Sequence, residues 1–397
     1  MSSQAVTAEQ ELTLLLCGTE ARRRDHWHRI EALVDQVDLD FLSALLNRQG
    51  LLPLGISRLL ETVPDAIPGE VREGFAELTE PASRRGLILE ALAQQYQADL
   101  ERAGVAALPL KGPLLSRELY GDPGIRSAVD LDFLVAPEHL DLAARTIAER
   151  GYSLQPDAYQ TNGLPRLHHL LTHDAGQLLP VELHWRIHWY ETRFSRDMLD
   201  RSIDTLEGRC ARPEDELASL LLFYSRDGFV GLRLAADIAA WWDLHGQRTK
   251  TPMLDGTADD YPELRDSLVV TARVLEDLVG IPRDSLLADS QHSTRRQRIA
   301  ARLVNWEGIG DRDQVSANIT FVDWLVAPRG GWREFARRWL VPPRAKLEQM
   351  YGLDENARWR RLWWRFAHPP KLVLRYLIAL WRIRGGRPWI PLPQSLR

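Results

Sequence analysis

Asp130 and Asp132 flank and enter the run Leu131-Asp132-Phe133-Leu134-Val135, whose composition is that of a strand. Residues i and i+2 of a strand share a face. The two carboxylates therefore point the same way, while Leu131, Phe133 and Val135 point into a core. Two carboxylates held together repel unless something neutralises them, and a divalent cation is the usual neutraliser. Further along, Val181-Glu182-Leu183-His184-Trp185 is a second alternating segment with an acid on its polar face. Upstream, Lys111-Gly112-Pro113 reads as the tight start of a helix, with proline at its tolerated first position. Amide groups at such a start can hold a phosphate. Phosphoryl and nucleotidyl transfer require little covalent help from protein; they require positioned phosphates and neutralised charge. Two metal ions a few Å apart can activate the attacking oxygen and stabilise the leaving one. Mg2+ is held by a few carboxylates plus waters and substrate phosphates. Asp130, Asp132 and Glu182 suit that role if their two strands are neighbours in one sheet. The layout thus suggests Mg2+ or Mn2+ and a nucleoside triphosphate (NTP) as co-substrate, with Lys111 and Arg126 as cations.

Each signal is weak alone. An Asp-x-Asp is often a solvated strand end, Lys-Gly-Pro is usually a turn, and an isolated Glu182 would be a surface residue. His184 shares the face of Glu182 and could be a ligand, a substrate contact or a packed polar residue. His168, His169 and His173 have a metal-like spacing. His168 and His169 face opposite sides of a strand, however, and a structural role is expected for them. Order and spacing together raise the weight of the acidic set.

Positioning these groups requires a small sheet between helices. Residues 1–103 carry apolar residues at spacings of three and four, which predicts helices punctuated by Pro53, Pro64, Pro68 and Pro81. From 104 to 190 the pattern predicts strand, helix, strand, helix and a hairpin. Its parts are a short strand over 105–110, a helix from Gly112-Pro113 through Tyr120, and the Asp130 strand. A helix follows from Pro137 and ends at Gly151. A short strand at 152–154 precedes two hairpin strands, 167–172 and 181–187, which turn through Asp174-Ala175-Gly176. Residues 191–356 read as helical again, with a loop at 246–260 and Trp241-Trp242 in a core. Residues 357–397 form a separate basic, Trp-rich tail.

The ordered set Leu110-Lys-Gly-Pro-Leu-Leu-Ser-Arg-Glu-Leu-Tyr120, Arg126, Asp130-Leu-Asp-Phe-Leu-Val135, Gly151-Tyr152 and Glu182-Leu-His-Trp185 resembles the uncharacterised nucleotidyltransferase family of the DNA polymerase beta superfamily. The resemblance is strong over about 108–190 and looser in the flanking helices. It implies an α+β fold: a polymerase-beta-like core of a small mixed sheet, flanked by N- and C-terminal helical regions. It also implies Asp130, Asp132 and Glu182 as the catalytic metal ligands, and Lys111 and Gly112 as the phosphate-binding turn. Arg126, Ser127 and His184 complete the nucleotide-binding set. The implied reaction moves a nucleoside monophosphate from an NTP to a hydroxyl or phosphate of a small-molecule or peptide acceptor. Similar proteins often accompany natural-product or polysaccharide biosynthesis. One departure stands out: the superfamily's turn commonly has Gly-Ser, whereas Pro113 follows Gly112 here and carries no hydroxyl. That departure keeps open an alternative, a catalytically silent nucleotide-binding or adaptor protein of the same fold.

The composition, 45% hydrophobic and 26% charged over 397 residues, is that of a globular protein. Cys17 and Cys210 form no C-x-x-C pattern, so neither a zinc site nor a disulfide framework is implied. Neither a signal peptide nor an apolar run long enough to span a membrane is visible, so a cytoplasmic setting is the expectation. The net charge of −5 is uneven. Residues 357–397 carry 10 Lys/Arg and no Asp or Glu, which leaves −15 on the rest. The tail interleaves Trp359, Trp363, Trp364, Trp381 and Trp389 with arginines, and Lys371 to Ile383 reads as a helix hinged at Pro369-Pro370. It could fold onto the acidic body or lie on an anionic membrane surface; a nucleic-acid partner is less favoured.

Overall fold

The computed structural model describes residues 7–156, 166–206, 208–246, 252–288, 293–303, 323–328, 333, 336–353 and 358–384. The N-terminal part holds α1 (Ala8–Cys17), α2 (Glu20–Asp25), α3 (Trp27–Val34), α4 (Leu39–Arg48), α5 (Leu52–Thr62) and the long α6 (Gly69–Arg102). Short polar residues start two of them. Thr7 closes a capping box with Gln10 at α1, and the Asp38 carboxylate accepts from two backbone amides at α4.

The sheet region follows as β1 (Ala107–Pro109), α7 (Pro113–Tyr120), β2 (Leu131–Val135), α8 (Leu140–Ala148), β3 (Tyr152–Leu154), β4 (His168–His173) and β5 (Val181–His184). Next come α9 (Phe194–Asp200), a ribbon of β6 (Ile203–Thr205) and β7 (Gly208–Cys210), and α10 (Pro213–Arg226). Then follow α11 (Arg233–His245), α12 (Asp255–Asp260), α13 (Arg265–Val279), α14 (Arg283–Leu286) and α15 (Arg295–Leu303). The last described helices are α16 (Arg344–Tyr351) and α17 (Arg358–Arg384). No helix among the described residues is long and apolar enough to cross a membrane.

The fold is α+β. Five strands make one mixed sheet in the order β1-β2-β5-β4-β3, in which β2 and β5 run parallel and the other pairs antiparallel. The period of two in β2 and β5 sorts their residues onto two faces. Leu131, Phe133, Val135, Val181 and Leu183 pack on one face with Ala93, Tyr96 and Leu100 of α6 and with Ala143, Ala144 and Ile147 of α8. On the other face Leu134 joins a larger core built from α1, α4, α5, α10, α11 and α13. Helices from both ends of the chain thus share one core, with α1 against α4, α5, α11 and α13.

The loop between α7 and β2 is held by a close crossing with α6. A Cβ placed on Gly86 would lie 2.3 Å from the Gly124 backbone nitrogen, and one on Gly124 would lie 2.3 Å from the Ala82 carbonyl oxygen. Neither neighbour is a flexible side-chain end. Ser83 Oγ donates to Asp122 at 2.7 Å beside this crossing. Gly86→Ala should therefore push α6 off the loop and destabilise the protein by roughly 1–3 kcal/mol. Urea denaturation measures this, and an unchanged midpoint would mean that the crossing is not a tight one.

Several elements differ from the sequence reading. Pro81 lies inside α6 instead of ending a helix. Part of the expected 246–260 loop is α12, and β6–β7 was not anticipated because its strands are only three residues long. Strand β5 ends at His184, not at residue 187. Trp241 is fully buried, whereas Trp242 is half-buried at the edge of the core. Pro369 and Pro370 sit within α17 and do not divide it. Trp389 lies outside the described residues.

Candidate active site

Strand β1 ends where Leu110 N donates to the Asp132 carbonyl at 3.1 Å. That bond carries Lys111 onto the acidic face of the sheet, where its Nζ lies 3.3 Å from Asp132 Oδ2. Gly112 then turns the chain into α7 with φ 88° and ψ −148°. A β-carbon there would meet nothing nearer than Asp130 O at 3.8 Å, so backbone conformation and not crowding selects glycine. Pro113 occupies the first turn of α7, where its missing N–H is no loss.

The parallel pairing of β2 with β5 sets Asp132 directly opposite Glu182 and Leu134 opposite His184. Asp130, one residue before β2, completes the set. Asp130, Asp132 and Glu182 each offer an oxygen, and these atoms lie within 4.8 Å of one another. The strands expected to be neighbours are neighbours, in the register that brings the acids together.

His184 is fully buried, and its Nε2 is 2.9 Å from Asp132 Oδ1 and 3.1 Å from Glu182 Oε2. Burial works against its protonation, but the hydrogen bonds to Asp132 and Glu182 outweigh it and raise its pKa above 6.5. Its Nε2 is thus held between two carboxylates that can only accept. Asp132 shows the converse. Burial alone would raise its pKa, yet the Lys111 charge and the His184 hydrogen bond hold it well below the usual carboxylate range. Glu182 is likewise lowered against its burial, chiefly by the His184 hydrogen bond.

Asp130 behaves oppositely. Burial, and then the charge of Asp132, push its pKa up to about 6. A raised carboxyl holds a proton in the folded chain where the unfolded chain has released it. Asp130 therefore destabilises the metal-free fold in full above pH 6, and that penalty fades as pH falls towards the ordinary 3.8. Wild type should be less stable than Asp130→Asn at pH 7, and the gap should close between pH 6 and 4. Denaturant titrations of both proteins across this range check the prediction; a gap that is constant with pH contradicts it.

The acidic face is not open on all sides. Helix α10 covers it with Phe223, whose ring lies 4.2 Å from Lys111 Nζ and meets the His184 ring edge-on at 5.6 Å. Arg226 packs on the same ring at 4.6 Å and donates to the Ile187 carbonyl at 3.2 Å. Arg126, expected as a substrate-side cation, is buried and bonds Asp237 of α11 at 2.7 Å. Tyr120 OH donates to the same Asp237 at 3.0 Å. Arg126 still lowers the pKa of Asp130 and Asp132 through space. Ser127 contributes its carbonyl, which accepts from Arg233 at 2.7 Å.

His168, read from the sequence as structural, joins the site, and two further residues, Asp237 and Phe223, escaped the sequence reading. His168 Nε2 lies 3.4 Å from Glu182 Oε1, and His168, Glu182 and His184 form another group able to hold a metal. Burial and then His184 push the His168 pKa down to about 3, so it is neutral. The expected hairpin could have revealed it, because β4 pairs His168 with His184. His169 and His173 diverge from this group and pack edge-on against Trp185 and Tyr152. Asp237 and Phe223 carried no local signal, since both sit on helices that read as core.

A groove of about 820 Å³ opens beside the Lys111 turn, lined among others by Leu110, Leu114, Glu118, Leu206 and Arg209. The profile of a family described as "Uncharacterised nucleotidyltransferase" matches residues 35–280. The matched span takes in the whole sheet and helices α10, α11 and α13, of which α10 covers the acidic face with Phe223. No curated protein and no solved structure matches the chain.

Proposed function

The chain belongs to the uncharacterised nucleotidyltransferase family, and on that premise we propose that it moves a nucleoside monophosphate from an NTP to a hydroxyl or phosphate of a small-molecule or peptide acceptor, releasing pyrophosphate. The observation that carries this reading is the cross-strand register of Asp132 with Glu182, which gathers three carboxylates on one buried face. The mixed sheet with acids on adjacent strands supports assigning the core to the polymerase-beta-like superfamily.

The residues fit Mg2+ or Mn2+. The three donors are oxygens, as hard cations prefer. Asp132 Oδ2 is buried and accepts no hydrogen bond, and Asp130 beside it has a pKa raised by burial and then by the Asp132 charge. Asp130, Asp132 and Glu182 would hold the cation, whose charge would be supplied to the phosphates. His184 fixes the near oxygens of Asp132 and Glu182, so both carboxylates keep one orientation. Lys111, 3.3 Å from Asp132 Oδ2 and next to the Gly112 turn, is the cation that would meet the triphosphate. Arg126 stays on Asp237 and acts at a distance. The groove beside Lys111 is of a size that suits a small-molecule acceptor.

Two observations favour a second reading, a nucleotide-binding or adaptor protein without turnover. Lys111 and His184 already neutralise Asp132 without a metal, and Pro113 carries no hydroxyl for phosphate. Pyrophosphate release with each NTP, Mg2+ or Mn2+ and an extract as acceptor pool separates the two. Release by wild type that vanishes in the Asp130→Ala/Asp132→Ala protein supports transfer. Metal-dependent NTP binding with no release under any condition supports the silent reading.

A further inference from the structure

We propose that the outer face of α17 is a docking surface for an anionic lipid bilayer. The inference is independent of nucleotidyl transfer, and α17 lies outside the span that matches the family.

Helix α17 is fastened to the body along one side. Trp364 stacks on Tyr351 of α16 with ring centres 3.9 Å apart. One residue turn on, His368 is buried between Tyr351 OH at 2.7 Å and the Trp339 carbonyl at 2.6 Å. Leu372 closes the contact by packing with Trp339, and the half-buried Trp189, just beyond β5, joins them. These positions, 364, 368 and 372, recur every four residues and define the inner face.

The outer face is apolar where a soluble helix would be polar. Trp359, Leu362, Trp363 and Phe366 follow the i, i+3, i+4, i+7 pattern of one helical stripe. Val373, Leu374 and Leu377 continue it beyond the two prolines. Trp359 is 81% exposed, Trp363 68% and Phe366 72%. Because the inner face is docked, rolling the helix cannot bury this stripe. Exposed Arg358, Arg360 and Arg365 border it, and residues 357–397 contain no acid. A contiguous exposed apolar stripe marks an interaction surface.

Charge and shape select the occupant. The acidic body already holds the inner face and leaves the stripe unused. A second copy placed stripe to stripe would set arginines against arginines. Nucleic acid would use the tryptophans for stacking, but Leu362, Val373, Leu374 and Leu377 offer it nothing. A bilayer uses every part: aliphatic and aromatic side chains enter the headgroup boundary while flanking arginines meet anionic lipids. Two central prolines and the charge density of α17 rule out spanning, which leaves it lying in the surface plane.

Flotation of the full-length protein with phosphatidylcholine vesicles, with and without phosphatidylglycerol, tests this. Wild type should float with the anionic vesicles at least about tenfold more than with neutral ones, and less as salt rises. Trp363→Ser/Phe366→Ser and Arg358→Gln/Arg360→Gln/Arg365→Gln should each lower flotation by roughly tenfold. All the changed side chains are exposed, so circular dichroism melting should stay unchanged and mark the loss as one of binding. Wild type that stays unbound, or variants that float equally, overturn the proposal. Vesicle-free self-association or RNA binding that the Trp363/Phe366 variant abolishes, with no flotation of wild type, also overturns it.

Discussion

Asp132→Asn should remove pyrophosphate release, lowering the rate by roughly 10²–10³-fold or more, and leave the fold standing. The side chain is fully buried and central to the site, between Lys111, His184 and the facing Glu182. Asparagine keeps the shape and an acceptor oxygen for His184 but loses the charge that a divalent cation requires. The neighbours can adapt. His184 can shed its proton once Asp132 is neutral, and Lys111, at 13% exposure, is near enough to solvent to swing outwards. Loss of activity should therefore exceed loss of stability. Mn2+ titration by calorimetry gives a readout that does not depend on the acceptor, and the variant should bind Mn2+ far more weakly. An enzyme within tenfold of wild type, with unaltered Mn2+ binding, would remove Asp132 from the metal set and sink the mechanism.

His184→Ala should be the most destabilising single change in the sheet, by about 3–5 kcal/mol. Its ring is the only group that hydrogen-bonds both Asp132 and Glu182 among the described residues. Without it two carboxylates face each other across adjacent strands, with Lys111 beside Asp132 and only the neutral His168 beside Glu182. His184→Gln keeps one amide donor and should lose less. The pH dependence follows from the raised pKa of His184. A cation whose folded pKa is raised contributes fully below its ordinary value of 6.5 and loses that contribution as pH rises through the folded value. The stability gap between wild type and His184→Gln should therefore be widest below pH 6.5 and narrow at alkaline pH. Guanidinium denaturation at several pH values reads both effects. A gap under about 1 kcal/mol at every pH would mean that the His184 ring bridges nothing of consequence.

Much of the site was legible because it is written at short range. The alternation around Asp132 and Glu182 is a period of two, and a strand converts that period directly into a shared face. Gly112-Pro113 encodes a positive φ followed by a helix start, and both are local backbone properties. The helices of the first hundred residues declared themselves through apolar spacing. Where local rules failed, packing had overruled them. Pro81 and Pro369-Pro370 read as breaks, yet each lies within a continuous helix that packs on neighbouring elements.

The amino-acid sequence by itself determined the α+β class, the pairing of Asp130 with Asp132, the Lys111-Gly112-Pro113 turn into a helix and the basic character of the C-terminal segment. Only the tertiary structure decided that Phe223 of α10 covers part of the acidic face, that Arg126 is ion-paired with Asp237, and that His168 and His184 converge on Glu182. Each of these depends on contacts between residues far apart in the chain: 111 positions separate Arg126 from Asp237. Periodicity reports which face a residue occupies. It carries no information on which distant element covers that face, and here burial of that face raises the pKa of Asp130 and lowers that of His168.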